Sequence, residues 1–215
     1  QRSLLHSVSH ELRTPIARLE FGLELLDARA NDPDLSRRIA AMEGDLRELN
    51  SLVNELLDMS KLDSARTLQP ARVDLKELLE QCCATLPPSP HAVACELDGP
   101  LGEIDADPRL LARAVGNLLR NAQKYAAGRV LLSARRGADG TEIAVDDDGP
   151  GIPEDERERI FDPFYRLDRS RDRATGGFGL GLSIARKAVA LHRGSLRAEA
   201  SSLGGARFVI KLPPA

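Results

Sequence analysis

Residues 9–15, Ser-His-Glu-Leu-Arg-Thr-Pro, combine a nucleophile with groups that can assist it. A neutral imidazole nitrogen is a good nucleophile near neutral pH, so His10 can accept a phosphoryl group. On a helix, Thr14 lies one turn from His10 on the same face, and Glu11 can accept the proton of the other ring nitrogen as a general base. Pro15 removes a hydrogen bond to the carbonyl of Glu11 and bends the helix, which exposes the imidazole. The pattern predicts a histidine that is phosphorylated.

Two alternatives for His10 stay open. His6 precedes it by one turn, so the two imidazoles could bind zinc, but no third ligand is visible and Glu11 is out of register for a His-Glu-x-x-His site. Both histidines could also be plain surface residues. His91 and His192 have no such neighbours, and we expect structural roles for them.

A second polar set falls on one stripe of a predicted helix. Asn117, Asn121, Lys124 and Tyr125 stand at positions i, i+4, i+7 and i+8, which share a helix face. An asparagine carbonyl can bind Mg²⁺ without adding charge, a lysine can pair with phosphates, and a tyrosine ring offers a flat surface for a base. These residue types suit a nucleoside triphosphate, although an ordinary amphipathic helix would also explain the stripe.

A tight turn at residues 145–152 places a carboxylate among glycines. Of three consecutive acids, only Asp147 stands in the Asp-x-Gly-x-Gly register, with Gly149 and Gly151. A carboxylate at a strand end can accept a hydrogen bond from the exocyclic amine of adenine, which guanine lacks at that position, and glycines let the backbone approach the base. The turn signal alone is weak, but repulsion among three acids favours a binding function over a plain loop.

A third glycine pattern, Gly177-Phe178-Gly179-Leu180-Gly181-Leu182, opens a predicted helix. Backbone amides at a helix start attract phosphate. The preceding stretch is charged rather than strand-like, which excludes a dinucleotide fold, and a Gly-Lys-Ser phosphate loop is absent. We interpret residues 165–176 as a mobile lid that brings arginines to the phosphates, and the alternative is a solvated charged loop. The lid arginines are Arg166, Arg169, Arg171 and Arg173.

Helical periodicity governs residues 5–56. Apolar residues recur at steps of three and four in two segments separated by the turn signal Asp32-Pro33, which predicts an antiparallel helical hairpin. A single hairpin cannot bury both apolar stripes, so we predict a four-helix bundle formed by a homodimer through residues 1–62. The alternative is a monomeric hairpin packed on the rest of the chain.

After a linker at residues 63–70, helix and strand patterns alternate. This alternation predicts an α/β sandwich of one sheet and several helices over residues 71–215. The predicted helices are 74–86, 108–126 and 180–192, and the predicted strands are 93–97, 129–134, 141–145, 195–200 and 206–212.

Composition restricts the function further. A net charge of −3 and an aromatic content of 3% argue against nucleic-acid binding. Neither a membrane-spanning run nor a signal peptide is visible. The cysteines Cys82, Cys83 and Cys95 fit neither a disulfide framework nor a zinc site, so we expect small buried hydrophobes in a reducing compartment. Because the chain begins within a helical pattern, we expect an upstream part.

Taken together, these motifs resemble the cytoplasmic core of bacterial sensor histidine kinases. Residues 9–15 resemble the phosphoacceptor box, 117–125 the N box, 147–151 the G1 box, 161–164 the F box, and 177–181 the G2 box. Gly204-Gly205-Ala206-Arg207-Phe208 resembles the closing G3 element. The match covers nearly the whole chain.

The resemblance implies a multidomain protein of α and α+β class. A dimeric phosphoacceptor hairpin of the HisKA type would be followed by a Bergerat-type (GHKL) ATP-binding domain. It implies ATP and Mg²⁺ as ligands, phosphorylation of His10, and transfer of the phosphoryl group to an aspartate on the receiver domain of a response regulator. It also implies dephosphorylation of that regulator. We expect a cytoplasmic domain of an inner-membrane sensor, attached to the membrane only through an upstream segment.

The resemblance also implies roles for individual residues. Glu11 would assist His10, and Thr14 would position water for the phosphatase reaction. In the nucleotide site, Asn121 would bind Mg²⁺, and Lys124 and Arg166 would bind the phosphates. Asp147 would bind the exocyclic amine of adenine, and Tyr125 would pack against the adenine ring. The other implied ATP-binding residues are Asn117, Gly149, Gly151, Ile152, Phe164, Gly177, Gly179, Leu180, Gly181 and Leu182.

Asp148 departs from the family, which often has Asn after the adenine-binding acid, and its extra charge could weaken ATP affinity. Two other functions remain as alternatives. One is a non-catalytic dimeric scaffold that uses ATP as a conformational ligand. The other is an ATPase of the chaperone or topoisomerase type, which shares the nucleotide fold but does not need His10, Glu11 and Thr14.

Overall fold

The computed structural model describes residues 16–17, 19, 21–23, 26, 33–64, 68–97, 99–167 and 178–214. The predictions made for His10, Glu11, Thr14 and Gly177 therefore lie outside the described residues, as do those for His6 and the lid arginines after Arg166. The chain divides into two compact units, residues 1–65 with 172–178 and residues 66–171 with 179–215.

The first unit is helical where it is described. Helix α1 (Pro33–Ser64) is preceded by residues that are also helical. Its apolar residues form two stripes at heptad spacing, one buried and one exposed. Ile39, Val53 and Leu57 belong to the buried stripe, and Leu35, Met42 and Leu49 to the exposed one.

The same division recurs before the turn. Ile16 and Leu23 are buried, whereas Leu19 and Leu26 are exposed. Both helical segments thus carry an apolar stripe that this chain leaves in contact with solvent, where a helix of a monomeric protein would carry polar residues.

The second unit is built on a mixed five-stranded sheet in the order β2-β4-β5-β7-β6, in which only β2 and β4 are parallel. A two-stranded antiparallel sheet, β1-β3, stands apart from it. The strands are β1 (Ala71–Asp74), β2 (Val93–Leu97), β3 (Glu103–Ala106), β4 (Val130–Gly137), β5 (Gly140–Asp147), β6 (Ser195–Ala200) and β7 (Ala206–Leu212). The helices are α2 (Leu75–Ala84), α3 (Pro108–Tyr125) and α4 (Gly181–Leu191), with short 3₁₀ turns at Glu154–Glu156 and Arg159–Phe161.

The predicted α/β sandwich is confirmed. Each strand predicted from the sequence forms within a few residues of its expected limits, while β4 and β5 extend beyond them to make a longer hairpin. Two strands, β1 and β3, were not predicted. Four-residue strands carry too few alternations to stand out from a loop.

Helix α3 is the central helix of this unit. Its apolar face, which includes Leu111, Leu118 and Leu119, is fully buried, and its opposite face is polar. Asp107 caps its start by accepting hydrogen bonds from the backbone N–H groups of Arg109 and Leu110. Burial acts to raise the pKa of Asp107, but hydrogen bonds from the backbone, including one from Gln69, lower it below its usual value. The cap therefore stays ionised and holds α3 at a fixed starting point.

Buried His192 joins the end of α4 to the start of α3. Its Nε2 accepts a hydrogen bond from the backbone N–H of Asp107 at 3.0 Å, and its Nδ1 lies 2.8 Å from the carbonyl oxygen of Ala188. Because Nε2 accepts, Nδ1 carries the proton and donates. This position confirms the structural role expected for His192.

We expect His192→Phe to lower the free energy of unfolding by about 1–3 kcal/mol, because it leaves the buried N–H of Asp107 without its acceptor. Urea denaturation followed by circular dichroism measures the loss. His91→Phe is the matched control, since only the backbone of His91 makes hydrogen bonds in the described structure. An equal loss in both variants would show that the hydrogen bond between Asp107 and His192 does not contribute to the free energy of unfolding.

Candidate nucleotide site

The polar stripe on α3 forms one wall of the candidate site. Asn117 donates a hydrogen bond from its side-chain amide to the carbonyl oxygen of Gly181 at 3.0 Å, and its Oδ1 accepts one from Arg120. Asn117 thereby ties α3 to the start of α4. Both ends of its amide are engaged, so its contribution in this conformation is to hold two walls of the site together.

Asn121 lies one turn further along α3 and is half-buried. Among the described residues, its side-chain amide has no hydrogen-bond partner. The side chains of Lys124 and Tyr125 follow, with the Lys124 ammonium 4.9 Å from the centre of the Tyr125 ring, a cation–π contact. Tyr125 is 43% exposed, so part of its ring is open to solvent. Asn121, Lys124 and Tyr125 are thus each at least partly exposed on α3.

Asp147 ends β5 and is only 1% exposed. Its Oδ1 accepts hydrogen bonds from the backbone N–H groups of Gly149, at 2.9 Å, and Ala206, at 3.1 Å. Both hydrogen bonds to the carboxylate end on Oδ1, and Oδ2 has no partner among the described residues. Burial raises the pKa of Asp147 above its ordinary value, and the charges of Asp148 and Asp146 act in the same direction. Burying a carboxylate oxygen costs free energy of folding unless a hydrogen-bond donor contacts that oxygen.

Glycines around Asp147 allow the backbone to pack closely. A Cβ atom at Gly149 would overlap the carbonyl oxygen of Tyr125, and one at Gly205 would overlap both Asp147 Oδ1 and the backbone nitrogen of Gly149. Gly151 has a φ of +72°, in the region that favours glycine. These contacts bring the Asp147 turn, the end of α3 and the start of β7 together.

The other two acids of the run face elsewhere. Asp146 accepts hydrogen bonds from the Ser201 hydroxyl at 2.7 Å and from Arg207 at 2.9 Å. Asp148 Oδ1 accepts three backbone hydrogen bonds, each 2.9 Å long, from residues 127–129.

These hydrogen bonds, with those from Arg129 and Gly128 the strongest contributors, lower the pKa of Asp148 to about 2. The charge of Asp148 is therefore compensated within the loop that follows α3. The backbone hydrogen bonds engage Asp148 Oδ1, and the expectation that this extra charge weakens ATP affinity stays a prediction.

The residues that flank the segment predicted to be a lid are hydrogen-bonded to each other, and we call this place the lid base. The backbone N–H of Phe164 donates to the carbonyl oxygen of Gly179 at 3.0 Å. Phe164, 59% exposed, has a φ of 66°, and Gly179 has a φ of 75°. A non-glycine residue in this region is uncommon, so the chain conformation at the lid base is set by its surroundings.

Nearby contacts hold the chain in place immediately after Phe164. The Tyr165 hydroxyl donates to Glu156, and the Arg159 guanidinium lies 4.6 Å from the centre of the Tyr165 ring while pairing with Glu156. The hydrogen bond to Glu156 raises the pKa of Tyr165. The neighbouring Arg166 is half-buried.

The apolar site residues predicted from the sequence differ in burial. Leu180 is fully buried, and its carbonyl oxygen accepts a hydrogen bond from the Ser183 hydroxyl at 2.8 Å. Ile152 and Leu182 are half-buried and pack against the core. These three apolar residues therefore attach the loops near Asp147 and Gly181 to the core.

We expect Gly205→Ala to lower the free energy of unfolding by about 3 kcal/mol or more, because the added Cβ overlaps backbone and carboxylate atoms that have no room to move. ATP binding should be lost with it. Calorimetric titration and urea denaturation measure both effects. Gly137→Ala is the control, since its Cβ would meet no atom within 4 Å; equal behaviour of the two variants would contradict the close packing.

Comparison with known proteins gives the family. Residues 106–215 match the family described as histidine kinase-, DNA gyrase B-, and HSP90-like ATPase. Residues 1–65 match the His Kinase A (phospho-acceptor) domain. The chain belongs to the first of these families, and the second match places it among the sensor histidine kinases.

Individual relatives agree with this assignment. Sensor histidine kinase CpxA of Escherichia coli (strain K12) is 38% identical over 99% of this chain and 47% of its own length. Sensor-like histidine kinase SenX3 of Mycolicibacterium smegmatis is 36% identical over 99% of this chain and 57% of its own length. The chain thus spans about half the length of these curated relatives.

A solved structure covers both units. Full-length ShkA in complex with AMPPNP superposes with a TM-score of 0.83 at 31% identity, covering 99% of this chain and 46% of ShkA. Within the described ranges, no helix has the length and apolar character required to span a bilayer.

Proposed function

We propose that this chain is the catalytic core of an ATP-dependent protein-histidine kinase that phosphorylates His10 and passes the phosphoryl group to an aspartate of a response regulator. The observation that carries the proposal is the buried Asp147 carboxylate, whose Oδ2, beside the glycine turn, is bound by none of the residues that the structure describes. The same chain contains the Ser-His-Glu-Leu-Arg-Thr-Pro sequence of residues 9–15. The family of the chain supports ATP binding.

Adenine recognition follows from Asp147. Its Oδ1 is fixed by two backbone N–H groups, so Oδ2 is left to accept the exocyclic amine of adenine. Guanine has a carbonyl at that position, and a carboxylate would repel it. The exposed ring of Tyr125 packs beside the adenine, while Gly149, Gly151 and Ile152 let the backbone approach it.

Phosphate binding involves the neighbouring elements. Lys124 and Arg166 supply positive charge, and the backbone amides of residues 178–181 at the start of α4 face the anionic end of the nucleotide. Asn117 holds Gly181 in place, and the side chains of Phe164, Leu180 and Leu182 shape the lid base.

The residues on α3 also fit Mg²⁺. The amide oxygen of Asn121, which has no hydrogen-bond partner in the described part of the chain, is a hard ligand of the kind that Mg²⁺ shares with phosphates and water. When bound, the ion neutralises phosphate charge and orients the terminal phosphoryl group. Asn121 would hold it from the protein side.

The chemical step is a direct displacement. An imidazole nitrogen of His10 attacks the γ-phosphorus, a P–N bond forms, and the bond from the γ-phosphorus to the bridging oxygen breaks to release ADP. Glu11 accepts the proton from the other ring nitrogen. Since phosphoryl transfer depends on positioning and charge neutralisation, the protein contributes chiefly these two effects. Thr14 positions water for removal of phosphate from the regulator.

The functional unit is a homodimer. The exposed apolar stripes of the first unit, represented by Met42, Leu49 and Leu19, would be covered by a second hairpin in a four-helix bundle. We assign residues 1–62 to dimerisation and phosphotransfer, 63–70 to a linker and 71–215 to ATP binding. The receiver domain of a response regulator is the second partner, and we propose a cytoplasmic location in an inner-membrane sensor.

We expect Asn121→Ala to abolish the magnesium dependence of ATP binding, with affinity in Mg²⁺ falling to the level measured in EDTA. Calorimetric titration of ATP with and without Mg²⁺ measures this. Asn54→Ala, in helix α1, is a control for a substitution of the same type outside the site. A magnesium effect of unchanged size in Asn121→Ala would refute the role of Asn121.

The overall function is tested by incubation with γ-labelled ATP and Mg²⁺, followed by a filter assay and a measurement of free phosphate. We expect label on the protein and little steady release. Steady release without labelled protein would indicate an ATPase of the chaperone or topoisomerase type. Bound nucleotide with neither product would indicate a non-catalytic scaffold.

A further inference from the structure

Two of the three cysteines lie against each other on the surface of the ATP-binding unit. Cys83 is in the last turn of α2 and Cys95 is in the middle of β2, and their sulfur atoms are 2.8 Å apart. A disulfide requires a sulfur–sulfur distance of about 2.05 Å, so the two sulfurs need only a small displacement to bond. The sequence predicts buried cysteines, which is correct for Cys82 and wrong for the exposed Cys95 and the half-buried Cys83.

The surroundings distinguish the three thiols. Cys95 is exposed, Cys83 is half-buried, and Cys82 is buried with its thiol donating to the carbonyl oxygen of Ala112 at 3.7 Å. Strand β2 forms an edge of the five-stranded sheet, so Cys95 can be reached by a small molecule in solution. Cys82 faces α3 and has no such access.

We propose that Cys83 and Cys95 form a reversible disulfide, a modification site for low-molecular-weight disulfides. The exposed Cys95 thiolate attacks one sulfur of the small disulfide, whose S–S bond breaks and releases one thiol. The Cys83 sulfur then attacks Cys95 Sγ, loses its proton to solvent and expels the second thiol. Two protein thiols are oxidised and one small disulfide is reduced to two thiols.

The electrostatics agree with this order of events. Burial raises the pKa of Cys83 to about 12, assisted by the hydrogen bond and the charge of Cys95. Cys83 is therefore the poorer first nucleophile. Conversion of Cys95 to a mixed disulfide removes its charge and its thiol hydrogen bond, and it places the electrophilic sulfur beside Cys83.

The bond would close the connection between α2 and β2. This connection contains Pro87, Pro88 and Pro90, and the carbonyl oxygen of His91 within it accepts a hydrogen bond from the Gln123 side chain of α3 at 3.0 Å. Since α3 also carries Asn121 and Tyr125, the oxidised bond would restrain a segment that contacts the site helix. A cross-link across this loop reduces the conformational entropy of the unfolded chain and so stabilises the folded state. We expect a rise in Tm of about 5 °C.

The test is equilibration of the native chain with reduced and oxidised glutathione, alkylation of the remaining thiols, and peptide mass spectrometry. We expect a cross-linked Cys83–Cys95 peptide with Cys82 alkylated, and reversal by a dithiol reductant. Glutathione retained on Cys95 without the cross-link, or a cross-link that includes Cys82, would overturn the proposal. The same treatment in urea is the control, because the pairing preference should disappear when the fold is lost.

Single variants separate the steps. Cys83→Ser should accumulate the mixed disulfide at Cys95, Cys95→Ser should leave Cys83 largely unmodified, and Cys82→Ala should oxidise like the wild type. Rapid modification of Cys83 in the Cys95→Ser variant would contradict the proposed order. Nucleotide binding is not needed for any of these readouts.

Discussion

Asp147→Asn is expected to weaken ATP binding by about a hundredfold while leaving the fold intact. The two backbone N–H groups that bind Oδ1 hold the amide oxygen in the same place, so the new NH₂ group faces the adenine amine. An acceptor is thus replaced by a donor, which costs about 2–3 kcal/mol of binding free energy. Calorimetric titration with ATP and GTP measures the change, and the preference for ATP over GTP should fall as well.

The Asp147→Asn variant should be at least as stable as the wild type at neutral pH. Burial raises the pKa of Asp147 in the folded protein, so its ionised form opposes folding at neutral pH and stability from this group increases as the pH falls through that raised pKa. A neutral amide removes the penalty, and Asp147→Asn should unfold at the wild-type urea concentration or higher.

Asp146→Asn is the matched control for this variant, since it removes the same charge from the neighbouring acid. Asp146 is engaged by Ser201 and Arg207 and has no oxygen directed to a base. Equal ATP affinities in the two variants would refute the adenine role of Asp147.

His10→Gln is expected to abolish phosphorylation of the protein by γ-labelled ATP and to leave the Kd for ATP unchanged. Glutamine keeps a polar side chain but has no imidazole nitrogen to attack phosphorus. The nucleotide ligands proposed above all belong to residues 117–182, so binding does not depend on His10. Label incorporation and calorimetric titration on one preparation measure the two properties together.

His6→Gln provides the control, because His6 precedes His10 by four residues in the sequence and is changed in the same way. It should be labelled like the wild type. Loss of labelling in both variants would instead favour the metal-pair interpretation, if the wild type also loses labelling when zinc is removed and regains it when zinc is added back.

The sequence predicted the elements whose residues carry a regular pattern. Helix α3 was predicted because its buried leucines and its polar stripe repeat with the helical period, and the Asp147 turn was predicted because glycine and acid stand in a fixed register. The fold of the ATP-binding unit is confirmed on these grounds. The roles of Asn121, Lys124, Tyr125 and Asp147 stay predictions.

Features that depend on contacts distant in sequence could not be predicted in the same way. Gly205 is required because Asp147, 58 positions earlier in the printed sequence, comes into contact with it, and no local pattern conveys that contact. The backbone hydrogen bonds from residues 127–129 to Asp148 join positions about 20 residues apart, and no local pattern indicates them. The Cys83–Cys95 pair likewise depends on how α2 packs beside β2.

The most direct test of the account is the chemical stability and position of the phosphoryl bond formed from γ-labelled ATP and Mg²⁺. We predict label that is lost in acid and retained in base, as a phosphorus–nitrogen bond requires, and that is found by mass spectrometry on the peptide containing His10. Label that is stable in acid, or that is carried by a peptide without His10, would contradict the account.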